Sequence, residues 1–382
     1  MASLLARFLA LAASGLLAFG LLECGVRTLV GEQPRFPRHV VGADFGVRIN
    51  EPGARYRHRS ADVDVGFEIN AKGLRDPRDF PYEKPPGTFR IVSLGDSFTM
   101  GYEVEVEETF SQVLESRLRA AGRRVEVLNA GVSGYSNAEA LLYLERELLR
   151  YQPDVVMLSF FGNDLVDNVR TGLFRLEGDA LVAAAEAYVP AGRLGNFLNT
   201  NPVFNFLGER SSAFVLLKEK ATLSVRHAMV AQNEANLASA DREAEGARER
   251  TGPGYPERLA AALVDRMHAV ARANGAAFLL HSIASPAPLR EPKRLLELFP
   301  VDAFSLDREG FAFVPSQPLL EPHRETELLY HTRSHGHWTP FAHRVAGEAL
   351  ARAVIEAGWL RPPAARRPPA PDASAADAAA TP

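Results

Sequence analysis

The chain has almost no cysteine: Cys24 is the only one in 382 residues. An intramolecular disulfide framework and a cysteine-rich zinc module are therefore excluded. An excess of one charge is also missing. Lys and Arg number 43 against 47 Asp and Glu, a formal charge of −4, so a broad basic surface for nucleic acid is disfavoured. There is no internal repeat. With 46% hydrophobic and 24% charged residues, the composition sits near globular averages, which sets aside collagen-like, wholly disordered and polytopic membrane classes. The length allows two domains, or one large domain with insertions.

What is present begins with Phe8 to Leu22, an uncharged Ala/Leu/Phe/Gly run that Met1 to Leu5 extends toward membrane-spanning length, interrupted only by Arg7. A basic residue near the end of a span can snorkel, so residues 1–30 are read as a signal anchor and transmembrane helix. A cleaved signal peptide is the rival, but no convincing small-x-small cleavage site follows, and a buried soluble helix is the third reading. A lipoprotein would use Cys24, yet Glu23 stands where a small residue is expected. Arg27, Arg35 and Arg38 follow the apolar core. The positive-inside rule alone would leave the body cytoplasmic, whereas large domains translocate largely regardless of charge. The expectation is a membrane-anchored protein with its body in the periplasm.

Residues 31–88, rich in Pro, Gly and Arg, read as a stalk that becomes short strands laid over the body. From residue 89 the rhythm changes. Phe89 to Leu94, Val125 to Leu128, Asp154 to Phe160 and Ala277 to Ile283 read as strands. Between and after them Glu107 to Ala121, Asn137 to Arg150, Glu257 to Ala273 and Pro340 to Ala357 read as helices. Strict alternation predicts a parallel sheet covered on both faces. Residues 171–255 break the rhythm as an insertion within a domain spanning 89–360. The Pro/Ala-rich tail, 361–382, is expected to be disordered.

The chemistry gathers in four turns. Gly95-Asp96-Ser97-Phe98 follows the first strand of the body, the address of a nucleophile in an open parallel sheet, although Asp96 or Ser97 could simply cap a helix there. Asn129-Ala-Gly-Val-Ser-Gly134 follows the next strand, where Gly134 can let backbone approach a ligand and offer an N–H to an oxyanion, or else makes an ordinary Gly-rich turn. Gly162-Asn163-Asp164 ends the third strand and supplies an amide donor, or else an Asx turn. Last comes Ser334-His335-Gly336-His337 before the final helix, with His331 and His343 nearby. An imidazole is the base a serine nucleophile needs. The histidines could instead hold a metal, but no carboxylate or Cys stands at ligand spacing, and His331 and His343 are read as capping or solvent-facing.

Together these blocks resemble the SGNH (GDSL-type) serine hydrolases, in particular a membrane-anchored subset with an upstream stretch like Phe67 to Arg75. The resemblance covers about residues 89–170 and 276–358. It implies a flavodoxin-like three-layer α/β/α sandwich with no metal or organic cofactor. It also implies that Ser97 is the nucleophile, that Gly134 and Asn163 join the Ser97 N–H in the oxyanion hole, and that His337 is the general base. One departure stands out: the family's Asp three residues before the catalytic His is Ser334 here. Either another group, such as a backbone carbonyl, Ser334 itself or a carboxylate from the insertion, orients His337, or the enzyme is slow. The expected activity is hydrolysis of an acyl ester, O-acetyl or lipid-like, on an envelope glycan or lipid. Acyl transfer to a glycan hydroxyl and a catalytically weak polysaccharide-binding module are the alternatives.

Overall fold

The computed structural model describes residues 2–30, 39–188, 201–218, 220–221, 254–286 and 295–360. The tail and most of the expected insertion lie outside the described residues. At the N-terminus, Ala2–Gly25 forms one helix, α1. Within Leu4–Val30 an 18-residue apolar window, of mean hydropathy 2.0, is not buried against the rest of the chain, while Val26 near the end of the segment is buried. By length and composition this helix is able to cross a bilayer.

From residue 40 onward the Arg-rich region forms short strands. Two hairpins form, β1 (Val40–Gly42) with β2 (Arg48–Asn50) and β3 (Arg55–Arg59) with β4 (Asp64–Glu68). The second alternates exposed Arg55, Arg57 and Arg59 with buried Tyr56 and His58, the period of a half-buried strand. Its apolar face, with Tyr56, Val65, Phe67 and Ile69, packs on Met100 and Tyr102 of the body.

The body is built from β5 (Thr88–Leu94), α2 (Ser97–Met100), α3 (Phe110–Ala120), β6 (Arg124–Asn129), α4 (Asn137–Arg146), β7 (Val155–Phe160) and α5 (Asp164–Thr171). A hairpin of β8 (Phe174–Glu177) and β9 (Ala180–Ala183), helix α6 (Pro202–Arg210), α7 (Tyr255–Ala273), β10 (Ala277–Ser282), β11 (Phe311–Pro315) and α8 (Pro340–Glu356) follow. Five strands make one sheet in the order β11-β10-β7-β5-β6, every neighbouring pair parallel. Counted along the chain, that is the flavodoxin-like order, with its topological switch between β5 and β7.

Alternate side chains divide between the two faces. Val92, Leu94, Val156, Leu158, Phe278 and Leu280 belong to the core with α4 and α7, whereas Ile91, Val127, Val155, Met157 and Leu279 belong to the core with α3 and α8. The result is the expected three-layer sandwich. The edge strand β11 has no counterpart in the sequence reading. Phe-Ala-Phe-Val-Pro is short, only partly buried and ends in Pro315, a residue tolerated at a sheet edge because one side of the strand donates to nothing.

Arg75 shows how the N-terminal region is fastened to the body. Its side chain is fully buried and donates to the carbonyls of Met100, Gly101 and Val104, while the guanidinium sits 4.0 Å over the Phe67 ring. Removing it would leave the buried carbonyls of Met100 and Val104 without this donor, each worth about 1–3 kcal/mol, and the Gly101 carbonyl with only the Val104 N–H. Arg75→Ala should therefore lower stability by about 3–5 kcal/mol, read as a shift of the urea midpoint at constant slope. A loss below about 1 kcal/mol would mean that water replaces the guanidinium at those carbonyls.

Candidate active site

Ser97 stands at the switch point of the sheet. The strand β5 ends at Leu94, and Gly95 turns the chain with φ 149°. A Cβ at Gly95 would collide with the Thr99 hydroxyl and meet the Ser159 carbonyl at 2.9 Å, so the turn requires glycine. Asp96 caps α2 by accepting the Phe98 N–H. Capping thus falls to Asp96, and Ser97 opens the helix with its hydroxyl toward the loop before α8.

That loop folds back through a bridge between Tyr330 and Trp338 and a hydrogen bond from the His331 N–H to the His337 carbonyl. The turn brings His337 Nε2 to 2.8 Å from Ser97 Oγ, across 240 positions of sequence. The imidazole is walled by Phe98, with ring centroids 4.9 Å apart, and by Tyr102 at 6.0 Å.

The partner of the other imidazole nitrogen corrects the sequence reading. His337 Nδ1 lies 3.2 Å from Glu103 Oε2, and the same oxygen accepts the His337 backbone N–H at 3.0 Å. Among the described residues it is Glu103 that takes that position. Ser334 donates its hydroxyl to Glu103 Oε1, which also accepts the His335 N–H at 3.3 Å and faces His58 Nε2 at 3.5 Å. Glu103 is absent from the sequence reading because Glu103, Glu105, Glu107 and Glu108 together look like a solvated acidic turn. Only its place after the α2 glycine, six residues from Ser97, hinted otherwise.

Two further turns flank Ser97 at the carboxyl ends of the adjacent strands β6 and β7. Gly134 has φ 72°, and its carbonyl accepts from Arg48 at 2.9 Å and from Arg170 at 3.4 Å. Arg48, in turn, pairs with buried Glu139 at 2.9 Å. Asn50 donates to the Gly131 carbonyl at 2.9 Å, and Asn129 donates to the Thr99 carbonyl at 2.8 Å. The hairpins of the N-terminal region therefore position this loop. Asn163 stands at the start of α5, and its amide donates to Asp167 at 3.2 Å while its own carbonyl oxygen is buried without a hydrogen-bond partner. The turn is closed by Asp164, which accepts the Phe161 N–H. Neither of the other histidines faces solvent: His343 accepts the N–H of Phe110 at the start of α3, and His331 is largely buried.

The model of the GDSL-like lipase/acylhydrolase family matches residues 93–300. The chain belongs to that family. Among curated proteins it is similar to an arylesterase of Vibrio mimicus, 31% identical over 75 residues, a match covering 20% of this chain and 38% of that protein. The matched segment thus spans about two-fifths of the relative's length. Among solved structures it is similar to TesA, with 17% identity, a TM-score of 0.37 and coverage of 70% of this chain and 99% of that one. The esterase EstA from a Pseudoalteromonas species shows 15% identity, a TM-score of 0.34 and coverage of 70% and 97%.

In this GDSL-family site the carboxyls divide sharply. Burial alone would raise the pKa of Glu103, but hydrogen bonds from His337 and His58 outweigh it and hold the group well below the usual carboxylate range. Asp96 goes the other way. Burial pushes it up to about 6, with Asp167 adding repulsion. Burial and the nearby Asp96 likewise raise Asp164 well above its ordinary value.

Asp96 makes the sign of one pH dependence clear. An unfolded Asp titrates near ~3.9, so a folded pKa of about 6 means that ionisation costs more in the native state. Its contribution is most favourable below ~3.9 and is lost as pH rises through about 6. Asp96→Asn keeps an oxygen for the Phe98 N–H and removes the titration. Relative to the native protein, the variant should gain about 2–3 kcal/mol of stability between pH 4 and 7.5. Urea midpoints at the two pH values test this, and parallel pH profiles would show that Asp96 titrates normally.

Proposed function

We propose that the protein is a serine ester hydrolase in which Ser97, His337 and Glu103 form the catalytic line. The observation that carries the reading is the continuous contact from Ser97 Oγ to His337 Nε2 at 2.8 Å and from His337 Nδ1 to Glu103 at 3.2 Å. His337 takes the Ser97 proton as Oγ bonds to the ester carbonyl carbon. The carbonyl electrons move to oxygen, where the N–H groups of Ser97 and Gly134 and the Asn163 amide serve as donors. As the tetrahedral intermediate collapses, the ester C–O bond breaks and the alcohol leaves with the proton from His337. Water then attacks the acyl-enzyme, giving its proton to His337, and Ser97 recovers that proton as the carboxylic acid departs. Glu103 stays ionised throughout, fixes the tautomer with the proton on Nδ1 and stabilises the imidazolium. In this reading α1 holds the enzyme at a membrane with its body on the extracytoplasmic side. The substrate is an O-acyl group on an envelope glycan or a lipid-like ester.

Ser97→Ala should abolish p-nitrophenyl acetate hydrolysis and fluorophosphonate labelling, with the urea midpoint within about 0.5 kcal/mol of the native protein. Peptide mapping of the native adduct must return Ser97. An adduct on Ser93 or Ser136 would refute the assignment.

Glu103 and Ser334 supply a second test. Glu103→Gln keeps the shape but removes the charge, and kcat should fall by about 10²–10⁴ with KM nearly unchanged. Ser334→Asp restores the residue typical of relatives but sets a second carboxylate against Glu103, so its activity should be unchanged or lower. In the Glu103→Gln background the same Asp should recover about tenfold or more, equivalent to roughly 1.4 kcal/mol of barrier. A rise in activity for Ser334→Asp alone would mean that Glu103 does not do the work of the acid.

A further inference from the structure

Helix α6 exposes a set of large apolar side chains that the fold does not use. Asn201 caps the helix by accepting the N–H groups of Val203 and Phe204, and Pro202 occupies its first turn, so the helix is well specified locally. Val203 is 64% exposed and Phe206 56%. After a break at Ser211 the chain is helical again from residue 212, and Leu217 on that segment is 58% exposed. Phe204, with its ring 5.9 Å from that of Phe214, joins the two pieces. Arg210, Lys218 and Lys220 are exposed on the same segment, where Glu209 and Glu219 stand beside them in sequence. Large exposed apolar side chains on a helix with a small excess of basic residues are compatible with a segment that lies in a membrane interface.

The position of this surface is set by the end of α1. The Glu23 carboxylate accepts the Ser211 hydroxyl at 2.8 Å and the N–H groups of Ser212 and Ala213 at 2.9 Å each. Arg27 pairs with Glu23 at 2.6 Å and donates to the Arg210 carbonyl at 2.9 Å. From Leu4 to Glu23 is about 20 residues, or about 30 Å of helix, close to the thickness of a bilayer's hydrocarbon core. Glu23 therefore falls at the edge of that core when α1 spans it. The residues it grips, 211–213, are held at the same depth.

We infer that the exposed face of α6 and of the helical segment after Ser211 lies in the boundary between headgroups and acyl chains of the bilayer that α1 crosses, as a second and peripheral membrane contact. This rests on the anchor reading given above. Because α6 packs against β3, whose His58 faces Glu103, the lipid surface would lie close to the strand that supports the catalytic acid.

The lone exposed cysteine makes the inference directly testable. In a full-length Cys24→Ser background, single cysteines are introduced by Val203→Cys, Phe206→Cys, Leu17→Cys and Arg352→Cys. Each is labelled with an NBD fluorophore, and the protein is reconstituted in phosphatidylethanolamine/phosphatidylglycerol vesicles. Emission at 203 and 206 should be blue-shifted and quenched by about half or more by a shallow doxyl lipid. Leu17 should be quenched by a deep doxyl lipid, and Arg352, on α8, by aqueous iodide only. If Leu17 is quenched by lipid and 203 and 206 respond only to iodide, the inference is overturned while the anchor stands, and that face belongs to water or a protein partner. Quenching at 203 and 206 without quenching at Leu17 would support a peripheral lipid contact and refute the span. Iodide quenching alone at all four sites would refute both.

Discussion

Glu103 carries its charge almost out of reach of water, and a carboxylate in that position persists only if donors occupy its oxygens. The donors come from distant parts of the chain: His58 from the N-terminal hairpins, Ser334, His335 and His337 from the loop before α8. Satisfying one buried charge therefore requires the two ends of the folded body to meet at the segment after Ser97. Once they do, the imidazole has its second partner and its orientation relative to Ser97. The same low dielectric that makes an unpaired carboxylate costly makes the paired one an effective stabiliser of an imidazolium.

This constraint explains why the region before residue 88 is packed into the same body as Ser97. The parallel sheet can present Ser97, Gly134 and Asn163 at the ends of adjacent strands, since that follows from strand order. It cannot by itself hold the loops between them. Arg48 and Asn50 fix the carbonyls of Gly134 and Gly131, and Arg75 gathers the carbonyls that follow α2. The extension works as a clasp of buried cationic and amide donors around loops rich in backbone acceptors. Phe98 and Tyr102 close the imidazole off from solvent. Asp96 and Asp164 show the opposing side of this economy, because carboxyls confined beside one another are tolerated for the turns they cap.

The four motif turns were legible in the sequence because each is a local object: a glycine where φ is positive, a capping side chain, a polar residue after an apolar run. Strand and helix alternation was legible for a similar reason. Its period is imposed by which face each side chain buries, so β5, β6, β7 and β10 and their helices announce themselves, and with them the three-layer class. The edge strand β11 did not, since five partly exposed residues ending in proline carry no periodic signal. His331 and His343 read as surface or capping residues, and only the second of these roles was met, at the start of α3.

The sequence by itself determined the class of sheet, the addresses of Ser97, Gly134, Asn163 and His337, and the apolar helix at the N-terminus, all encoded within a few neighbouring residues. Tertiary structure alone decided that Glu103 faces His337. Three more acidic residues crowd the five positions after it, and nothing within that turn distinguishes the buried carboxylate from the exposed ones. The distinction arises from which donors are brought to it, and those donors lie 45 positions before it in one direction and more than 230 after it in the other. Long-range pairing of a buried charge has no local signature, because the energy that selects it exists only once both partners have left water.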